Sequence, residues 1–121
     1  VSLDVPALPP EVEAVLDGYA AARARGRQQE KAAVKATLAE LVDRAPGRSV
    51  EVRIPPYDAV QAIEGTTHRR GTPSAVVETD ARTWLLVACG RLTWADAVAA
   101  GAVRASGARS DLAAWLPLYG S

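Results

Sequence analysis

Three glycines constrain this chain more than any other feature. Gly90, Gly101 and Gly107 fall in the stretch Glu78–Leu118, which reads ETDARTWLLVACGRLTWADAVAAGAVRASGARSDLAAWLPL. Each follows a short apolar run, where a residue free to take positive φ ends one element and starts another. In the first run Ala81, Trp84, Leu85 and Ala88 share a helical face, while Leu86, Val87 and Cys89 fill most of the rest. A helix apolar nearly all round is buried on more than one side, so a helix over 80–89 is expected to sit centrally. Thr93 and Asp96 then form a capping-box pattern with Asp in the Glu position, opening a second helix that ends at Gly101. Ala102–Ser106 reads as a strand. A final helix with Leu112, Trp115 and Leu116 on its inner face is expected before Pro117.

Earlier segments supply what this stretch packs on. Pro6, Pro9 and Pro10 make an extended lead-in, and Pro9-Pro10 suits a helix start with Glu11 and Glu13 against its positive end. Val12, Val15, Leu16 and Tyr19 follow helical spacing, and so do Val34, Leu38, Leu41, Val42 and Ala45. One long helix or two in succession therefore covers 10–45, with Gly26 as the point of break or bend and Pro46-Gly47 as the stop. Val50, Val52 and Ile54 alternate with Glu51 and Arg53, which is a half-buried strand. Pro55-Pro56 forces a turn. Tyr57–Ile63 reads as the returning strand, with either Ala59, Gln61 and Ile63 or Val60 and Ala62 inward. A polar connection over 64–74 leads to a third strand at Ala75–Glu78, and Thr79 or Asp80 caps the next helix.

Composition narrows the function. The chain has 121 residues and a formal net charge of zero, enough for one domain with a real core. General nucleic-acid binding usually shows a basic excess, which is missing. No apolar run approaches the ~20 residues that span a bilayer. VSLDVPALPP lacks the basic and apolar regions of a signal peptide, so the expected compartment is the cytoplasm. No GxGxxG or Walker loop points to a nucleotide, and no cofactor is expected. A single His with no nearby Cys cannot make a metal site, so none is expected.

Four features could carry chemistry. Cys89, the one cysteine, lies in an apolar run and reads as a buried inert thiol; a nucleophile would need a lowered pKa and a partner base. Arg23, Arg27, Lys31 and Lys35 recur every four residues, as an anion-facing stripe or as a solvated helix face. The solvated reading is preferred because apolar anchors are missing beside them. His68, Arg69 and Arg70 could hold a carboxylate or phosphate, or simply solvate a loop. Trp84, Leu85, Ala88, Trp94, Val98, Val103, Trp115 and Leu116 are either plain core or the partial lining of a lipid-sized pocket.

The order helix–glycine–helix–glycine–strand–glycine–helix also carries a resemblance. Gly90-Arg91-Leu92, Ala95, Ala97, Gly101-Ala102-Val103 and Gly107 resemble the C-terminal half of the sterol carrier protein-like fold. VRIPPY and RRGTPSAVVETD extend the match, so residues 50–118 look like the small bacterial, notably actinobacterial, sterol carrier family proteins. The resemblance implies an α/β (α+β) sheet of about four to five strands, covered on one face by helices. In lipid-binding relatives an apolar tunnel runs between the two layers. Residues 1–47 then form an N-terminal helical extension of the same domain, and 48–121 the sterol carrier-like core. About thirty residues between Arg48 and Thr79 leave room for three strands, fewer than typical lipid-carrying members use. The expected function is non-catalytic binding of a small apolar or acyl ligand, without enzymatic activity and without stable membrane insertion. The alternative is an interaction module that lost the tunnel and forms a homodimer through the N-terminal helix. An enzyme is the least expected.

Overall fold

The computed structural model describes residues 6–22, 26–68, 70–107 and 110–120. Two helices come first, α1 (Pro10–Ala20) and α2 (Arg27–Arg44). The 10–45 segment is therefore two helices in succession, and Gly26 is the extended N-cap residue of the second. Strands β1 (Val50–Ile54), β2 (Asp58–Ala62) and β3 (Ala75–Thr79) follow. Helices α3 (Ala81–Ala88) and α4 (Trp94–Ala99) and strand β4 (Val103–Gly107) complete the sheet and its cover.

The four strands lie in the order β2-β1-β3-β4. β1 pairs antiparallel with β2 and parallel with β3, and β3 pairs antiparallel with β4. Register settles which side of β2 faces inward. Val50 stands opposite Ala62 and Val52 opposite Val60, so Ala62 is buried and Val60 is half-buried against the core. Ala59 and Gln61 are exposed on the other side.

The two faces differ in chemistry. The helix-side face carries Val50, Val52, Ile54, Ala62, Ala75 and Val77, all buried. The outer face carries Glu51, Arg53, Glu78 and Arg104, with ion pairs Arg53–Glu51 and, at 4.0 Å, Arg104–Glu78. Burying only one face of an antiparallel-rich sheet produces this alternation. Helices α1, α2 and α3 share the core through Val12, Leu16, Val34, Leu38, Leu41, Trp84 and Leu85.

Caps and stops behave as their residues dictate. Asp80 accepts a hydrogen bond from the Thr83 amide at 2.7 Å, and Thr93 accepts one from the Asp96 amide at 3.1 Å. Gly107 adopts φ +88°, and a Cβ there would fall 2.1 Å from the Ser74 carbonyl oxygen on β3's entry. Only glycine lets β4 close on β3 at that point.

The expected terminal helix is corrected. Among the described residues the segment forms one 3-10 turn, at Ala113–Trp115. The Asp111 carboxylate caps it by accepting from the Ala113 amide at 2.8 Å. Pro117 lacks a donor and disfavours helical backbone at Leu116, so nothing propagates. The remaining chain becomes an extended strap instead. The Leu118 amide donates to the Ala88 carbonyl at 2.8 Å, and Arg44 donates to the Pro117 and Leu118 carbonyls at 3.3 and 2.5 Å. Leu112 and Leu118 are fully buried beneath this strap.

Candidate functional site

The apolar residues singled out above do not converge on one lining. Trp84, Leu85 and Ala88 belong to the packing of α3 against α2. The Trp84 indole N–H donates to the Thr37 hydroxyl at 2.8 Å, and Thr37 donates back to the Ala33 and Val34 carbonyls. Leu85 and Ala88 are 0% exposed, so neither borders a void wide enough for water. Trp94 and Val103 lie at the edge of the core. Val98 points away and is 45% exposed. Trp115 and Leu116 are half-buried against the core from the strap.

The cationic loop has a different geometry. His68 and Arg70 are exposed, and Arg69 lies outside the described residues. Backbone bonds hold the turn: the His68 amide donates to the Thr72 carbonyl at 2.8 Å, and the Gly71 amide to the His68 carbonyl at 2.7 Å. An isolated bridge joins Thr67 to Pro73. These interactions shape an exposed surface turn. The loop joins β2 to β3, so it lies at the Val50–Ala62–Ala75 end of the sheet.

A concave site occurs at the opposite end, roughly 13 Å along β1. There the start of α2 faces the β1–β2 turn across a pocket of about 280 Å³, lined by Arg27, Gln28, Lys31, Pro56 and Tyr57. Glu30 is next to it on α2 but turns inward and is 4% exposed. Its carboxylate accepts hydrogen bonds from the hydroxyls of Tyr19 and, at 2.7 Å, Tyr57. The Tyr57 phenol is pushed above its ordinary value, first by that hydrogen bond and then by burial and the Glu30 charge, with Arg27 opposing. Arg82 lies 5.4 Å over the Tyr19 ring and ties α3 to the same cluster. One turn further along α2, Lys35 pairs with Asp58 of β2 at 3.5 Å.

Sequence reasoning noticed Arg27, Lys31 and Lys35 as a stripe but missed the pocket. Arg23 of that stripe lies outside the described residues, and α2 begins only at Arg27. The signal that could have found the site is the pairing of this stripe with the aromatic residue directly after Pro55-Pro56.

Cys89 is buried, and burial pushes its thiol up to about 11, with Arg91 opposing. Tyr119 beside it is pushed up to about 12, chiefly by burial and then by Glu40. Among the described residues no group of three or more His, Cys, Asp or Glu side chains could hold a metal ion. No described helix is long and apolar enough to cross a membrane.

A one-sided mixed sheet, with two helices entering before it and a glycine-stopped helical cover after β3, defines an α/β domain. The chain belongs to the family described as bacterial SCP ortholog, whose model matches residues 26–118. That match takes in α2, the whole sheet, α3 and α4. Among solved structures, the sterol carrier protein 2-like 2 of Aedes aegypti is similar at 17% identity and a TM-score of 0.43, over 76% of this chain and 97% of that one. No curated protein matches the chain significantly.

Proposed function

We propose that this protein binds a small apolar or acyl ligand between its sheet and its helix layer, without covalent chemistry. The observation that carries this reading is the apolar seam between α2 and the β1–β2 hairpin, which ends at the pocket of Arg27 and Tyr57. Val34, Leu38 and Leu41 on one side face a sheet that presents Val50, Val52 and Ile54. Family membership supports the same reading. Val34, Leu38, Leu41, Val50, Val52 and Ile54 are sealed as completely as Leu85 and Ala88, so the ligand enters by parting the helix layer from the sheet rather than by filling a ready-made tunnel. Apolar burial supplies the affinity, at ~25 cal/mol per Å² before ordering costs are subtracted. A thiol held protonated at about 11 argues against Cys89 as a nucleophile.

Native mass spectrometry of protein taken from cells tests this, together with calorimetric titration of dodecanol. A lipid-sized mass lost on denaturation, or dodecanol binding with a negative heat-capacity change, is the expected result. A bare protein that also ignores dodecanol sinks the reading.

An interaction module is the second reading, favoured by Val98, the exposed large hydrophobic residue on α4. The apolar residues of α1 (Val12, Leu16 and Tyr19) are buried in the chain's own core. A second copy would therefore have to meet another side of that helix, or the α4–β4 edge.

A further inference from the structure

We infer that the pocket between α2 and the Pro56–Tyr57 turn is an oxyanion site, taking a carboxylate or phosphate head. This inference rests on the ligand-binding reading for the tail but not for the head. The pocket of about 280 Å³ is at the small end for ligand sites, large enough for a head group and too small for a whole lipid. Its walls divide by chemistry. Arg27, Lys31 and Gln28 supply donors on one side, while Pro56 and the Tyr57 ring supply apolar surface on the other. An amphiphile's first carbons would lie along that second wall.

The charge arrangement favours an anion. Arg27 and Lys31 stand four apart on one helix, where like charges repel. Neither takes part in an ion pair among the described residues, whereas Lys35, one turn on, is neutralised by Asp58 at 3.5 Å. Glu30, beside the pocket on α2, turns inward and accepts from the two tyrosine hydroxyls. The charged side chains that line the pocket among the described residues, Arg27 and Lys31, are both cations. Arg27 can grip a carboxylate or phosphate through two parallel bonds, and Lys31 adds a point charge. The Tyr57 proton is committed to Glu30, so Tyr57 acts as a wall rather than a donor to the ligand.

The source of the oxyanion is either an amphiphile's head group or a small free anion, and three titrants separate them. Dodecanoate, dodecanol and inorganic phosphate are titrated calorimetrically at neutral pH into the wild type and the Arg27→Gln/Lys31→Gln double variant. Both side chains are exposed, so the double variant is expected to fold, which its melting curve verifies. The wild type should prefer dodecanoate to dodecanol by about tenfold or more, the scale of one charge-assisted interaction. The double variant should lose that preference while binding dodecanol as before. Equal wild-type affinity for the two chains overturns the head site and leaves the apolar reading standing. If neither chain binds but phosphate does, and the double variant loses it, the site holds a free anion and the apolar reading fails. If none of the three binds, both inferences fall.

Discussion

The two ends of the sheet teach different things about where charge becomes a site. At the Val50–Ala62–Ala75 end, His68 and Arg70 stand on a turn held by its own backbone bonds, open to solvent. At the Ile54–Asp58 end, Arg27 and Lys31 stand on a helix that faces a proline-braced turn, and the space between is concave. Both ends are basic. The second brings two separate elements together around Arg27 and Lys31, and binding sites are built on such concavity. Between them lies the dry seam of α2 and α3, where Trp84 and Thr37 satisfy each other.

Four substitutions test the difference between the sealed layers and the two ends. Trp84→Ala removes the largest fully buried side chain, together with the donor that Thr37 accepts. It should cost about 3–5 kcal/mol in denaturant unfolding. A loss under about 1 kcal/mol would mean the seam is loose and the tunnel lies there after all.

The second concerns Cys89. A thiol at about 11 rather than 9.0 holds roughly a hundredfold less thiolate near neutrality, so alkylation should slow by about that factor against unfolded protein. The same shift fixes a sign. The raised folded value favours the protonated fold, so its stabilising contribution is full below about 9 and is lost as pH rises through about 11. Tyr119 continues the loss towards about 12. Cys89→Ala should remove the first phase of an alkaline unfolding profile; an unchanged profile would contradict this account.

Third, Glu30→Gln keeps one acceptor oxygen but removes the charge shared by Tyr19 and Tyr57. A loss of about 1–2 kcal/mol is expected in thermal or denaturant unfolding. Dodecanoate should bind more tightly, because the acid behind the pocket is gone. Weaker binding would place Glu30 on the ligand's side of the balance. The smallest change is His68→Ala/Arg70→Ala, which should move stability by no more than about 0.5 kcal/mol and leave dodecanoate affinity unaltered.

Much of the fold was legible in the sequence because its signals are local. Gly90 and Gly101 ended α3 and α4, Asp80 and Thr93 capped them, and alternation marked β1. The β2 faces were not legible, because Val60 and Ala62 turn inward only through their register with Val52 and Val50. The terminal helix failed although Pro117 marks its stop: Leu112, Trp115 and Leu116 have helical spacing, but the few residues ahead of Pro117 form a single 3-10 turn, too short a run to offset helix nucleation. The strap that replaced it depends on Arg44, far away in the chain. The pocket was hidden for the same kind of reason. Arg27 and Tyr57 are joined only once α2 lies against the hairpin, and a cationic stripe alone reads as a solvated face.

The central claim is that an amphiphile's polar end sits at the α2 start. Backbone amide NMR with added dodecanoate tests it most directly. The largest shifts are predicted at Arg27, Gln28, Lys31 and Tyr57, with Thr67, His68 and Gly71 unmoved. Shifts centred on Thr67–Gly71, with the α2 start silent, would contradict the account.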